Sequence, residues 1–319
     1  MPINRCLYCY QELNDNERDF HPACSRKIFG RPVPPELPFT EEQMLALADQ
    51  VIKAHAAVTG VQPKLSLHLP ERSGDHPQRF TIVGLWGEYI LKPPAIQYAH
   101  LPEIEDVTMH LAEISHINTV PHSLIRLKSG SLAYITKRVD RKRKKKIHME
   151  DMCQLTERLT EHKYQGSYEQ IGKVIMKYAA NPGLDVVNYF EQVVFSFLTG
   201  NADMHLKNFS LLKDPEMGYR LCPAYDMVAT ALVVEGDSEE LALNLNGKKR
   251  KLQRQDFIAA MQHFKISEKA STNIFAKFEA TIPKWMLLIK QSFLPEEVQL
   301  RFIDLIKRRT AQLGLKISF

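Results

Sequence analysis

The sequence predicts an α+β chain of two lobes, strand-rich first and helix-rich after. Three observations predict it. Residues 60–92 contain runs that alternate apolar and polar positions, as in Leu65-Ser66-Leu67-His68-Leu69, the period of a half-buried strand. Residues 185–199 carry Val186, Val187, Phe190, Val193, Val194, Phe197 and Leu198, apolar around most of a helical circumference, so that helix is buried. About eighty residues at the C-terminal end follow amphipathic helical periodicity, as in Pro295 to Ile303. A length of 319 residues allows two such lobes, each with its own core.

The elements follow in order. Residues 1–35 form a small Cys/His module that ends in a proline-rich link, Arg31-Pro32-Val33-Pro34-Pro35-Glu36-Leu37-Pro38, which disfavours helix. The N-terminal lobe is expected at 36–140. Thr40 and Gln43 have the spacing of a capping box and predict a helix from there to about Lys53. Strands follow at about 65–69, 80–83 and 89–92, with a turn signal at Ser73-Gly74-Asp75 and a stop at Pro93-Pro94. A helix at 103–116 places Val107, Leu111 and Ile114 on one face, and two short strands are expected at 123–128 and 131–137. The C-terminal lobe, 141–319, is expected to be helical, with strands near 209–213 and 219–222 around Asp214-Pro215.

Composition narrows the function classes. Hydrophobic content of 44% and charged content of 25% are ordinary for a globular chain. Much of the net charge of +5 comes from the run Lys137 to Lys146, read as a solvated loop or as a docking site for an acidic or nucleic-acid-bearing partner. No stretch approaches the ~20 apolar residues that cross a bilayer. Met1 to Cys6 has no apolar signal core, so a cytoplasmic location is the expectation. Five cysteines, an odd number, argue against a disulfide framework.

The chemistry-bearing residues sit between the apolar segments. Asn201-Ala202-Asp203-Met204-His205-Leu206-Lys207-Asn208 lies between the helix at 185–199 and Phe209-Ser210-Leu211-Leu212. Asp203 and Asn208 are five residues apart, the spacing by which protein kinases place a substrate-aligning Asp and a magnesium-ligating Asn. Asp203 would align an attacking hydroxyl. His205 would brace the loop, and Lys207 would approach the transferring phosphate. Asp226, in Ala224-Tyr225-Asp226, would be the second magnesium ligand, a hard oxygen donor like the Asn208 amide. Earlier in the chain Lys92 ends an apolar strand and would place its ammonium on ATP phosphates, oriented by Glu105 or, second, Glu103. Thr59, Gly60, Val61, Gln62 and Lys64 would form the cover over those phosphates. The order Lys92, Asp203, Asn208, Asp226 gives a protein-kinase-like fold as the expectation.

A separate pattern opens the chain. Cys6-x-x-Cys9 and His21-x-x-Cys24 have the spacing of a tetrahedral zinc knuckle, and the alternative is a set of small buried residues.

These blocks resemble a family. Gly60 to Lys64, Ile90 to Pro93, Glu150-Asp151-Met152-Cys153-Gln154, Gly200 to Asn208 and Ala224 to Asp226 are similar to the signature blocks of HipA-family serine/threonine kinase toxins, in the family's order. The resemblance implies Lys92 on the ATP phosphates, Lys137 to Val139 as the hinge beside adenine, Asp203 as catalytic, and Asn208 and Asp226 on magnesium. It also implies an all-helical C-terminal lobe. Only about 55 residues precede the glycine-containing loop, which resembles the short HipT branch. That branch implies a HipS-like small protein and a HipB-like helix-turn-helix antitoxin as partners, with DNA reached only through the antitoxin. The implied substrate is an aminoacyl-tRNA synthetase, the tryptophanyl enzyme favoured. The family's regulatory serines have no counterpart in Ala56-Ala57-Val58-Thr59-Gly60; Thr59 and Ser66 are the hydroxyls left for autophosphorylation. Two other readings stay open: a small-molecule kinase of similar fold, and a non-catalytic subunit of a DNA-binding regulatory complex.

Overall fold

A computed structural model describes residues 4–44, 46–47, 64–70, 78–83, 86–142, 145–234, 236 and 238–317. The chain divides into two units. The first comprises Met1–Asp106, Val120–Arg138 and Gln291–Leu294, and the second Val107–Thr119, Val139–Lys290 and Pro295–Phe319.

In the first unit, helix α1 (Pro22–Phe29) starts on Pro22, where a missing N–H costs nothing, and stops at Gly30 with φ 75°. Strands β1 (Leu65–His68), β2 (Thr81–Val83), β3 (Tyr89–Lys92), β4 (His122–Arg126) and β5 (Leu132–Lys137) form one antiparallel sheet in the order β2-β1-β3-β5-β4. In β1 the alternation is realised: Leu65 and Leu67 are buried while Ser66 and His68 are half-buried. Leu65 pairs with Leu91, and Lys92 pairs with Tyr134 on the next strand. Residues 41–44 and 46–47 are helical behind the predicted box, in which Gln43 N–H donates to Thr40 Oγ1 at 3.4 Å and Thr40 N–H to Gln43 Oε1 at 2.9 Å. The remainder of that expected helix lies outside the described residues.

Helix α2 (Leu101–Ile114) begins in the first unit and continues into the second. It is buried nearly all around, with Glu105 and Asp106 at 0% exposure. Charges so placed persist only with partners: Glu105 has Lys92, and Asp106 has the Tyr10 hydroxyl and His122.

The second unit is dominated by helices and also carries a three-stranded sheet. Strands β6 (Arg141–Lys142) and β7 (Lys145–Lys146) pair antiparallel as a hairpin, so these residues of the basic run are strand rather than loop, with Lys142, Lys145 and Lys146 exposed. Strands β8 (Met149–Asp151), β9 (Ser210–Asp214) and β10 (Gly218–Leu221) pair antiparallel in the order β10-β9-β8. A short helix α3 (Met152–Leu155) follows β8 under a capping box of Asp151 and Gln154. Helix α4 (Tyr168–Tyr178) has the same device from Ser167 and Gln170. Helix α5 (Pro182–Thr199) is the apolar helix of the sequence and runs through the core. The later helices are α6 (Arg254–Gln262), α7 (Glu268–Gln291) and α8 (Glu296–Gln312). Trp285 of α7 is fully buried; its ring meets Phe195 edge-on at 5.3 Å, and its N–H donates to Ser115 Oγ at 3.0 Å. That bond supplies the polar partner a buried indole requires.

Candidate active site

In the second unit the site is built on the end of α5. Gly200 N–H donates to Phe197 C=O at 3.2 Å and Asn201 N–H to Ser196 C=O at 2.8 Å. This is Schellman pairing, with Gly200 in the left-handed conformation at φ 67°. A Cβ on Gly200 would lie 2.7 Å from Leu305 Cδ2 and 2.9 Å from Ala231 Cβ, so glycine is required by space as well as by φ. The turn Thr230–Leu232 then latches the loop. Ala202 N–H donates to Thr230 Oγ1 at 2.9 Å, and Ala231 N–H to Gly200 C=O at 3.0 Å.

Asn201 is fully buried and accepts the Asp203 N–H on Oδ1 at 3.1 Å. The Asp203 carboxylate is 46% exposed and accepts a hydrogen bond from the Tyr164 hydroxyl. The Asn208 side chain is buried, and its Nδ2 donates to Asp203 C=O at 2.9 Å. That bond fixes which amide atom is nitrogen and leaves the oxygen as an acceptor. The two residues that sequence spacing singles out are therefore joined directly.

His205 is 4% exposed and stacks edge-on to Tyr164, ring centres 4.9 Å apart. Its Nε2 is 3.8 Å from Asp203 Oδ1. Burial pushes the imidazole down to about 4 against the opposing pull of Asp203, so at neutral pH it is uncharged and the pair is no ion pair.

Lys207, expected to approach the transferring phosphate, donates from its ammonium to Asp151 Oδ2 at 2.7 Å. Asp151 is the N-cap of α3, so the lysine neutralises a carboxylate already fixed by the Gln154 N–H.

Asp226 has φ 55°, a left-handed position where non-glycine residues are uncommon. Its neighbour Tyr225 donates from its hydroxyl to Lys207 C=O at 3.0 Å and shares a hydrogen bond with Ser210 Oγ. Burial holds that phenol far above its ordinary value, hence protonated. Ala224 N–H donates to Asn118 C=O at 2.7 Å. The segment bearing Asp226 is thus tied to the loop bearing Asn208 by a neutral bridge.

In the first unit Lys92, 2% exposed, is hydrogen-bonded and ion-paired to Glu105 of α2, and its Nζ lies 5.3 Å from the Tyr134 ring centre. Glu103, the second candidate, lies near His100 instead, at 3.9 Å. Lys64 is exposed just before β1. Thr59, Gly60, Val61 and Gln62 lie outside the described residues. Ser66 is half-buried, and its hydroxyl accepts Gly87 N–H at 3.0 Å. Lys137 N–H donates to Pro121 C=O at 2.8 Å; Val139 is half-buried and opens the second unit's longest segment.

Tyr164, Tyr225, Asp151 and Thr230 carry no role in the sequence reading. Tyr225 and Asp151 stand inside recognised blocks, and that adjacency is a usable signal. Tyr164 is 39 residues from Asp203 and has none.

The Cys/His module places donor atoms of Cys6, Cys9, His21 and Cys24 all within 4.8 Å of one another. Cys153 and Cys222 are buried elsewhere. No helix among the described residues is long and apolar enough to cross a membrane.

An antiparallel sheet with a buried Lys–Glu pair, followed by helices around an Asp–Asn loop, defines a chain of protein-kinase-like fold. The chain belongs to the HipA-like C-terminal domain family, whose family model matches residues 56–286. It is 32% identical over 208 residues to the candidate kinase Y4dM of Sinorhizobium fredii, covering 61% of this chain and 49% of that protein. To the serine/threonine-protein kinase toxin HipA of Shewanella oneidensis it is 26% identical, covering 61% of this chain and 47% of that one. The chain thus spans about half the length of these relatives. Its fold is similar to that of HipA in a Shewanella oneidensis complex of HipA, HipB and operator DNA, with a TM-score of 0.66 at 20% identity, covering 87% of this chain and 72% of that one. It is also similar to the Helicobacter pylori proinflammatory kinase CtkA, with a TM-score of 0.53 at 15% identity, covering 70% and 87%.

Proposed function

We propose that this chain is an ATP- and magnesium-dependent serine/threonine protein kinase that acts as a toxin. The observation that carries the reading is the Asp203–Asn208 loop: Asp203 has a half-exposed carboxylate, and its main-chain carbonyl is held by the buried Asn208 amide at the end of a buried helix. Kinase names among the relatives support it.

In the reaction a protein hydroxyl attacks the γ-phosphorus of ATP. The new O–P bond forms as the bond to the ADP oxygen breaks, and the hydroxyl proton passes to Asp203. Asn208 Oδ1 and Asp226 would hold magnesium, which when bound would offset the negative charge of the ATP phosphates. Both are hard oxygen donors, and both segments are pinned through Tyr225. Lys92, oriented by Glu105, contacts the phosphates. Lys137 to Val139 serve as the hinge beside adenine, and residues 59–64 as the phosphate cover, with Thr59 or Ser66 as the autophosphorylated hydroxyl.

The partner reading is a HipT-like toxin restrained by a HipB-like antitoxin and a HipS-like small protein, acting on an aminoacyl-tRNA synthetase, the tryptophanyl enzyme favoured. A structural neighbour's complex with HipB and operator DNA supports the first partner.

Asp203→Ala is expected to lower γ-phosphate transfer by at least ~100-fold, the usual scale of acid–base catalysis, in protein that stays folded. Phosphoproteomics of cells expressing wild type against this variant identifies the substrate. Full transfer by the variant would sink the assignment. A discrete labelled protein band in lysate, as opposed to labelled small molecules, separates a protein kinase from a small-molecule kinase.

A further inference from the structure

The proposed reaction assigns the N-terminal module no role, yet it has the most concentrated set of soft donors among the described residues. Two are presented by the turn at Cys6 to Cys9, where Tyr10 N–H donates to Cys6 C=O at 2.9 Å. The other two sit at the start of α1, with His21 as its N-cap and Cys24 one turn on. His21 Nδ1 lies 3.4 Å from Cys9 Sγ and 3.8 Å from Cys24 Sγ. Donors on a tetrahedral zinc, bound at about 2.0–2.3 Å, are separated by about that much. The other ring nitrogen of His21 is 2.9 Å from Glu12 C=O. A carbonyl can only accept, so Nε2 carries the proton and Nδ1 turns its lone pair toward the thiols. This is the outer contact that metal-bound histidines use. Three thiols and one imidazole suit zinc among the divalent ions.

We propose that Cys6, Cys9, His21 and Cys24 form a structural zinc centre whose module braces the start of α2. The bracing follows from the residues beside the ligands. Tyr10, immediately after Cys9, has φ 62° and donates from its hydroxyl to Asp106 Oδ2 at 2.6 Å. Asp106 Oδ1 is 2.8 Å from His122 Nδ1 on β4. Leu7 C=O accepts Leu124 N–H at 3.4 Å and the Ser123 hydroxyl at 3.2 Å, which seats the Cys6–Cys9 turn on β4. From the other half of the module Asp19 accepts the Arg126 guanidinium at 2.8 Å, and Phe29 meets Phe80 at 5.9 Å. A module of about thirty residues has too small a core to fold alone, so the metal supplies what apolar burial does not. Four protein donors close the coordination sphere, which assigns a structural role.

The test is metal content of the full chain after dialysis against a weak chelator. About one zinc per chain is expected, and Cys153→Ser is expected to retain it. Cys9→Ser is expected to lose most of it. If that variant does not fold, cobalt-loaded wild type takes its place, with the visible bands of tetrahedral thiolate coordination expected. Zinc near zero in folded wild type, full zinc in folded Cys9→Ser, or octahedral cobalt spectra would each overturn the site. Hydrogen exchange tests the bracing: a strong chelator is expected to raise exchange at Leu101–Asp106 by tenfold or more. Unchanged exchange there, with zinc removed, would overturn that part.

Discussion

On the proposed reading the Asp203 carboxylate must be both reachable and aimed, and the Tyr164 hydroxyl, which donates to it, would do the aiming. Tyr164→Phe removes the donor and little volume. On the kinase reading it is expected to lower kcat several-fold and leave the ATP KM within twofold, which steady-state kinetics would show. His205 gives a prediction that needs no activity. Its folded value of about 4 lies below the ordinary 6.5, so between those values the unfolded chain binds more protons. The stability from this group is therefore complete above pH 6.5 and is lost as pH falls toward about 4, in total about 3 kcal/mol. Denaturant midpoints across that range should show the slope, and His205→Gln should flatten it. The spacing of Asp203, His205 and Asn208 is legible in the sequence because one loop carries all three. The Tyr164 and Asp151 contacts are not, because tertiary packing brings those residues in from 39 and 56 positions away.

Among the elements, β3 and α2 meet through one buried ion pair. Lys92→Met removes the cation paired with the Glu105 carboxylate, which is at 0% exposure, and is expected to cost about 3–5 kcal/mol. The double replacement Lys92→Met with Glu105→Leu should regain most of that in denaturant unfolding, while neither protein transfers phosphate. The strand ending in Lys92 is readable from its apolar run and the prolines that follow. Glu105 is readable only as one of two nearby acids, since a helix this buried gives no polar face from which to choose. Gly200 offers a second comparison. Gly200→Ala adds a left-handed penalty to a clash with Leu305 and Ala231, so about 2–4 kcal/mol is expected. Gly130, with φ 95° and nothing within 4 Å of a built Cβ, should lose only about 1 kcal/mol on the same change.

For the whole molecule, ligand linkage is the measure that joins stability to function. ATP with magnesium at ~100 times its Kd should stabilise the chain by about 2.7 kcal/mol, a rise of several degrees in thermal unfolding. Asp226→Asn tolerates the left-handed backbone and removes the charge, so it should abolish the magnesium-dependent part of that rise. The strand-rich and helix-rich halves are legible because periodicity is local. The division at Arg138 and Val139, the exchange of 291–294 into the first unit and the seating of the Cys/His module on β4 are long-range outcomes of packing. The basic hairpin belongs with them: charge predicts its exposure, but only pairing of Arg141 with Lys146 shows its shape.

The Schellman ending of α5 also works as a clock. Each residue of an α-helix turns the chain by about 100° and advances it by about 1.5 Å. Since Gly200 and Asn201 are bonded back to Phe197 and Ser196, the loop inherits the helix's angular phase. Inserting one residue in α5 would swing Asp203 a quarter-turn or more off its bearing without changing any residue in the loop. The length of α5 is therefore as much a part of the site as the side chains it presents.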